Sequence, residues 1–404
     1  MTMIRLRLSL MMFFQYLMYA VWWVPLAAYL TNMNVGGTHK ALILSSMAIG
    51  CIASPVIGMI ADRFFSGQKV LFFLNLFSSL LLFGAVNTES TELLFIALLF
   101  TMIFYMPTWG LTSAIAMAHS PSEEFPKIRV FGSVGWVASG LFSVAAVKIF
   151  NLDFDGTKLP FYIGAATGIV AALINLTLPE TPPTGKGKPI SLIDAFGLGS
   201  VKMMKDRNFA LFILLSFLSM IPFAMYYAYF SEFLLHIKTK YITVMMNWGV
   251  LAEMGFMLLI PIAIKKFGLH KVLIFGIIAL VVRYLALYFG GVIDQPALYL
   301  LGILVHGLIF GFFYVGGQIY IDKKAPEELK SQAQGFIFLV TFGLGLLVGT
   351  LIDGRIINFY TETIGNTRDY DWDAIWGITS VFSIALLIAF LVFFKKDDEK
   401  TAIK

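Results

Sequence analysis

Apolar runs of about 20 residues recur along this chain, and they restrict it to very few folds. The bilayer interior offers no water to backbone N–H and C=O groups, so a chain crosses it as helices or as a closed barrel. About 20 apolar residues cross the hydrocarbon as a helix, whereas barrel strands are short and alternate in polarity. Hydrophobic residues fill 59% of the 404 positions and charged residues only 13%. The sequence therefore predicts an all-α integral membrane protein.

Apolar runs and the polar loops between them predict about twelve membrane spans. The first run follows two arginines, as a signal peptide would. Its length and its Trp22-Trp23 pair argue against cleavage, so it counts as a span. The predicted spans cover residues 10–30, 39–61, 68–87, 92–118, 126–150, 160–178, 207–235, 243–264, 271–290, 296–320, 331–351 and 374–394.

A hydrophilic stretch in the middle of the chain divides these spans six and six. Gly132 and Gly140 of the fifth span have counterparts in Gly335 and Gly343 of the eleventh. Equivalent glycines in equivalent spans favour a duplicated six-helix unit. The predicted domains are an N-terminal six-helix bundle over 1–178, a cytoplasmic linker over 179–206 and a C-terminal six-helix bundle over 207–404.

Charge and cysteine content exclude several function classes. With both termini in the cytoplasm, the inner loops hold about three times as many Lys and Arg residues as the outer loops, which is the positive-inside bias. This bias accounts for the net charge of +5 without a nucleic-acid partner. The single cysteine, Cys51, excludes an internal disulfide and a thiolate metal cluster. The sequence shows no motif for a metal site, a phosphate-binding loop or a nucleophile elbow. We therefore predict that the protein binds no cofactor and no metal and is not an enzyme.

Ionisable side chains inside the spans are the first candidates for function, because charge at membrane depth is costly. Arg129, Ser133 and Trp136 are spaced i, i+4, i+7, so they share a helix face that suits a polar solute with a planar part. Glu253 is the one acidic residue deep within a predicted span. It is expected either to carry a proton or to form an ion pair between helices. For Arg129 three interpretations stay open: substrate anchor, partner of Glu253, or a residue that reaches towards the interface.

The tenth span carries a polar and aromatic stripe. His306, Phe310 and Tyr314 follow at i, i+4, i+8, and such a stripe either stacks on a base or sugar or simply packs against neighbouring helices. Arg283 in the ninth span is predicted to snorkel towards the outer interface and to stay outside the site. Three further candidates for substrate binding are Tyr226, Tyr227 and Gln15.

The chain resembles the major facilitator superfamily, and within it the nucleoside:proton symporter family. The first resemblance rests on twelve spans in two halves and on the turn Gly58-x-x-Ala61-Asp62-Arg63-Phe64. In this turn Asp62 either caps or pairs with a neighbouring helix end, or the turn is simply a solvated charged loop. The second rests on motifs that occur in the family's order: Met106-Pro107-Thr108, Phe125-Pro126 with Arg129 and Ser133, Tyr162-Ile163-Gly164, Thr177-Leu178-Pro179 and Gln334-Gly335.

The resemblance implies a function and a location. It implies a proton-coupled secondary active importer of nucleosides that works by alternating access. The implied protein spans the bacterial inner membrane many times, and its partners are nucleoside, proton and lipid. The distribution of Lys and Arg residues predicts that both termini lie in the cytoplasm, and we expect the protein to be a monomer. Residues that match the family's site are Arg129, Ser133, Trp136, Glu253 and Phe310.

Several positions depart from the family's pattern. The family has a Tyr where this chain has His306. Amides or an Asp, which would read base and ribose, are replaced at four positions: Met225, Ala228, Val250 and Gly311. A proton-coupled sugar or glycoside symporter on the same scaffold therefore stays open as the alternative.

Overall fold

A computed structural model describes residues 3–121, 124–183, 191–364 and 367–396. In this part of the chain, eleven helices are long and apolar enough to cross a membrane, and a further apolar helix, Leu159–Asn175, has 17 residues. Large apolar side chains such as Leu258 remain exposed on these helices, as lipid contact requires. The prediction of a helical membrane protein with about twelve spans is confirmed. The side chain of Asp62 and residues 184–190 of the predicted linker lie outside the described residues.

Three of the first six spans are built from two helices each. Pro25 interrupts the first span and Pro107 the fourth, because proline cannot donate the backbone hydrogen bond that would continue a helix. The helices are α1 (Met3–Trp23), α2 (Leu26–Asn32), α3 (Gly37–Leu44), α4 (Ser46–Phe64), α5 (Gly67–Val86), α6 (Thr91–Tyr105), α7 (Thr108–Ala118), α8 (Phe125–Ile149) and α9 (Leu159–Asn175).

Two of the later spans contain a π-helical segment, Ile309–Val315 in the tenth and Leu339–Gly345 in the eleventh. A two-stranded hairpin, which the sequence did not predict, pairs β1 (Thr361–Ile364) with β2 (Thr367–Tyr370) before the last span. Short segments of 3₁₀ helix cover Leu198–Lys205 and Glu327–Leu329. The helices are α10 (Leu192–Ala195), α11 (Arg207–His236), α12 (Ile242–Phe267), α13 (Leu269–Val292), α14 (Pro296–Leu304), α15 (His306–Leu308), α16 (Gly316–Lys324), α17 (Lys330–Phe338), α18 (Leu346–Phe359) and α19 (Trp372–Phe393).

Contacts divide the chain into two compact units. The first unit comprises Met1–Leu192 and Ala228–Asn247, and the second comprises Ile193–Tyr227 and Trp248–Lys404. Helices α11 and α12 therefore contribute residues to both units. The boundaries of the two six-helix bundles and of the linker between them stay predictions.

Close packing of α1 against α8 depends on a glycine. A Cβ atom at Gly135 would overlap the backbone oxygen of Phe13, which cannot turn away as a flexible side chain can. The mean axis of α8 can lie this close to α1 only because Gly135 has no side chain. The approach brings the face of α8 that carries Arg129 and Trp136 against the aromatic side chains of α1.

We expect Gly135→Ala to lower the free energy of unfolding by at least about 1 to 3 kcal/mol, the usual range for an overpacked core. The measurement is thermal unfolding of the purified protein in detergent. The matched control is Gly84→Ala in α5, where a Cβ atom would meet nothing within 4 Å. Equal melting temperatures for the two variants would contradict the proposed role of Gly135.

Candidate functional site

In the first unit, the predicted face of α8 meets aromatic side chains of α1 and α7. The guanidinium carbon of Arg129 lies 4.4 Å from the centroid of the Tyr16 ring, and Tyr16 stacks on Trp109 at 5.7 Å. Trp136 meets Tyr19 edge to face at 5.5 Å. We call this group the first aromatic cluster, and its members are Tyr16, Tyr19, Trp23, Tyr105, Trp109 and Trp136.

The first aromatic cluster combines ring faces with hydrogen-bond donors. Arg129, Ser133 and Trp136 are half-buried, unlike the fully buried Tyr19 at the centre. A guanidinium that lies over a ring keeps its N–H edge free to donate to an oxygen atom, while rings stack on a planar ligand. Pairing of Arg129 with Glu253 stays a prediction, because Glu253 belongs to the second unit.

Gln15 joins this cluster to a buried polar network, since the Tyr105 hydroxyl donates to its backbone carbonyl at 2.7 Å. Its side-chain nitrogen donates to Asn75 Oδ1 at 3.2 Å and to Thr108 Oγ1 at 2.7 Å, and its side-chain oxygen accepts from Asn75 Nδ2 at 2.8 Å. The side chain is fully buried. Both N–H donors of Gln15 are thus used inside the protein, so its structural role is clear and its role in substrate binding stays a prediction.

In the second unit, α12 and α15 bring an acid and an imidazole together. Glu253 Oε2 lies 3.7 Å from His306 Nε2, and the Glu253 side chain is 15% exposed against 7% for His306. A protonated His306 would form an ion pair with the carboxylate, and a neutral one would leave the carboxylate to bind a proton itself. The pair can therefore hold a proton at membrane depth.

The aromatic stripe of the tenth span remains continuous through the π-helical segment. His306 and Phe310 have ring centroids 6.2 Å apart, and Phe310 and Tyr314 are 6.1 Å apart. The hydroxyl groups of Tyr314 and Ser219 lie 3.2 Å apart. π-Helical turns occur often at functional sites. The three rings therefore lie next to each other along one face of the tenth span, as their spacing predicts.

Rings from the seventh and eleventh spans complete this surface. Tyr226 stacks on His306 at 5.3 Å, and Tyr227 reaches the group through Phe223, on which it stacks at 5.4 Å. We call the group the second aromatic cluster, and its members are Phe223, Tyr226, Tyr227, His306, Phe310, Tyr314 and Phe342.

The prediction that Arg283 snorkels to the interface is wrong. Its side chain is fully buried, its Nε donates to the Gly302 carbonyl at 3.0 Å, and its guanidinium carbon lies 3.9 Å from the centroid of the Tyr226 ring. Among the residues that the structure describes, no carboxylate lies within 4.0 Å of the guanidinium. Arg283 is a functional candidate that counting residues from the helix end missed.

Two acids besides Glu253, the one acid deep within a predicted span, are buried in helices. Glu232 in α11 and Asp353 in α18 are both buried at 1% exposure or less. The predicted eleventh span ends at residue 351, two positions before Asp353, and Glu232 is too near the end of its predicted span to count as deep. In the described residues, no group of three or more His, Cys, Asp or Glu side chains is placed to hold a metal ion.

The positions that depart from the family's pattern have different surroundings. Met225 is completely buried, so it fills the core of its unit. A Cβ atom at Gly311 would lie 3.5 Å from Ile260 Cδ1, an ordinary contact. Position 311 therefore has room for a small side chain that this chain does not use.

Solved structures share this fold. A crystal structure of a mutant of the nucleoside transporter NupG matches with a TM-score of 0.89 at 24% identity, over 97% of this chain and 100% of the other. A crystal structure of a D-xylose-proton symporter matches with a TM-score of 0.71 at 14% identity, over 97% of each chain. Together with the helices above, these matches confirm the prediction of a major facilitator fold.

Curated sequences identify the family. The putative nucleoside transporter YegT of Escherichia coli is 36% identical over 98% of this chain and 96% of its own length. The xanthosine permease of Escherichia coli is 26% identical, over 99% of this chain and 98% of its own length. The family profile described as Nucleoside H+ symporter matches residues 1–399. The chain is therefore a multi-pass membrane transporter and belongs to the nucleoside H+ symporter family.

Proposed function

We propose that this protein imports nucleosides together with protons by alternating access, with Glu253 as the proton-binding group. The family and the names of the relatives, a putative nucleoside transporter and a xanthosine permease, support nucleosides as the substrate class. We further propose that the protein acts as a monomer in the bacterial inner membrane with both termini in the cytoplasm. The distribution of Lys and Arg residues supports that orientation.

The contact between Glu253 and His306 is the observation that carries the proposal. An ionised carboxylate inside a membrane protein costs several kcal/mol unless it is paired, and binding a proton removes that cost. Because His306 also stacks on Tyr226 and lies beside Phe310, a change of charge at Glu253 acts directly on the second aromatic cluster. Proton binding and the shape of a ring-lined surface are thereby linked through one contact.

Both aromatic clusters offer what a nucleoside needs. A base is planar and apolar on its faces but carries hydrogen-bonding groups at its edge, and a ribose carries hydroxyl groups. The faces of aromatic rings can stack on the base, and hydrogen-bonding side chains such as Arg129 and Ser133 can bind the ribose hydroxyl groups. We propose as substrate-binding residues Arg129 and Ser133, which lie on the same face of α8 as Trp136 of the first cluster, and Trp136 itself. In the second unit we propose the same role for Tyr226, Tyr227, His306, Phe310 and Tyr314.

The test of this function is uptake of labelled uridine into proteoliposomes that are acidic outside and carry a membrane potential. One proton that moves down 100 mV supplies about 2.3 kcal/mol, enough for a roughly 40-fold gradient. We expect accumulation of this order and its loss on addition of a protonophore. Unlabelled uridine should compete and free xylose should not.

Two results would contradict the proposal. Failure of the folded protein to accumulate uridine under any gradient would contradict the nucleoside assignment. Accumulation of labelled xylose or of a simple glycoside, without competition by any nucleoside, would favour the sugar symporter instead.

A further inference from the structure

The first unit contains a buried polar network that the proposed site does not use. The stretch Ala228–Asn247 consists of the end of α11, a loop and the start of α12, and it belongs to the first unit. The network lies where this stretch contacts the N-terminal helices. We propose that this network is a polar lock that fastens the stretch to the N-terminal helices and opens once in each transport cycle. The polar lock comprises Thr31, Lys40, Ser143, Asp155, Glu232 and Thr243.

An ion pair forms the centre of the polar lock. Lys40 Nζ of α3 contacts Glu232 Oε1 of α11, and their side chains are only 4% and 0% exposed. The hydroxyl of Thr31, at the end of α2, lies 2.9 Å from Lys40 Nζ and 3.0 Å from Glu232 Oε1. The hydroxyl can accept from the ammonium group and donate to the carboxylate at once. Three helices are thereby held at one point away from water.

A second carboxylate fastens the start of α12. Thr243 Oγ1 donates to Asp155 Oδ1 at 2.5 Å, and Ser143 Oγ donates to Asp155 Oδ2 at 2.9 Å. Burial raises the pKa of Asp155, and the hydrogen bonds from Thr243 and Ser143 oppose that rise. Next to it, Asn247 Nδ2 donates to the carbonyl of Val137 at 3.1 Å. The stretch is therefore held at both of its ends, by α11 and by α12.

The chemistry of these contacts suits a lock that opens. A buried ion pair resists the loss of one partner, because the remaining charge would stay in a poorly solvated place. If the whole stretch lifts away, however, both partners reach water together and both regain hydration. Opening such a polar contact therefore costs little free energy, because water replaces the lost partners. Opening an apolar contact of the same area would cost more, because ring and alkyl surface would become exposed to water.

Helix α11 has a natural bending point beside the stretch. Pro222 lies inside α11, six residues before Ala228. Proline cannot donate a backbone hydrogen bond, so the helix is weakened on that side and bends more easily there. Movement of the end of α11 therefore does not require the rest of the helix to move with it.

The test measures the distance across the polar lock directly, without substrate. Spin labels are attached at His39→Cys and Lys238→Cys, two exposed positions next to the lock, in a Cys51→Ser background. With the lock intact, we expect pulsed electron paramagnetic resonance to give mainly one short distance between the two spin labels. Lys40→Met or Glu232→Gln should increase the longer-distance population at least about tenfold relative to the short one. The charge exchange of Lys40→Glu with Glu232→Lys should restore the short distance.

Each result supports or overturns the lock. Equal distance distributions in the intact protein and in both single variants would overturn it, as would a charge exchange that fails to restore the short distance. If the single variants do not fold, Thr243→Val replaces them, since it removes the hydrogen bond to Asp155 and keeps the shape of the side chain. Here too an unchanged distribution would overturn the proposal.

A second measurement tests whether the lock opens in each cycle, a claim that rests on the proposed function. The same two cysteines are joined with a short bifunctional thiol reagent that a reductant cleaves. We expect cross-linking to slow uridine uptake at least about tenfold and reduction to restore it. Uptake at the uncrosslinked rate would overturn the opening step. Absence of uridine uptake before cross-linking would instead contradict the proposed function and leave the distance result intact.

Discussion

We expect Glu253→Gln to abolish proton-driven accumulation of nucleoside but to preserve the exchange of labelled for unlabelled nucleoside across the membrane. Glutamine has the shape of a protonated glutamate and cannot release a proton. The Glu253→Gln carrier would move as if always protonated, so it would equilibrate substrate without using the gradient. At a driving force of about 100 mV, the accumulation ratio should fall from roughly 40 to about 1.

The measurement compares gradient-driven uptake with counterflow in the same proteoliposomes. The matched control is Glu362→Gln in β1, an exposed acid of the hairpin, which should change neither rate. Accumulation that persists in Glu253→Gln would assign proton binding to another buried acid, and Asp353 would be the first to test. Loss of both accumulation and counterflow would show that Glu253 binds substrate rather than protons alone.

Periodicity and composition predict the number of spans and their order, because a chain inside the bilayer must satisfy its backbone hydrogen bonds internally and does so as apolar helices. The ends of spans are harder to predict, because apolar composition changes gradually there. Asp353 shows the consequence: α18 continues to Phe359, so an acid that the predicted span leaves in a loop is buried in a helix. An error of a few residues at a helix end can hide a functional candidate.

Side-chain partners are the second limit of the sequence. Arg283 could be placed along α13 but not around it, and the direction of a side chain decides whether it reaches lipid headgroups or a ring such as Tyr226. Tyr16, Tyr19 and Trp23 carry a usable signal, since i, i+3, i+7 spacing puts them on one face of α1. Packing of α8 on that face through Gly135 could not be read from the spacing, because it depends on which helices are neighbours.

The ion pair of Lys40 with Glu232 is a third case. The two residues are 192 positions apart, and each is ordinary in its own segment. The charge rule counts Lys40 only as one of the cations on the outer side, because it considers Lys and Arg and says nothing of their partners. Contacts between distant segments arise from the packing of the whole chain, so a single sequence without relatives gives no sign of them.

Arg283→Met is expected to reduce transport at least tenfold and yet to leave the protein as stable as before or more so. Arg283 is fully buried with no carboxylate within 4.0 Å among the described residues, and burial of a charge without an ion-pair partner costs folding free energy. An apolar side chain of similar volume removes that cost, as it does where whole buried ion pairs are replaced by apolar residues. Arg283 lies over Tyr226, Tyr226 stacks on His306, and His306 contacts Glu253, so the cation fixes the rings that the proposed proton step acts on.

Thermal unfolding and uridine uptake, measured on the same preparation, separate the two effects. Arg283→Lys is the matched control because it keeps the charge, whereas a compact ammonium group covers a ring less completely than a planar guanidinium. If the lysine variant transports like the parent, charge alone is required; if it fails like methionine, the stack on Tyr226 is required. Loss of several kcal/mol of stability in the methionine variant would contradict the expectation. Arg283 would then stabilise the fold, and the loss of transport would follow from unfolding.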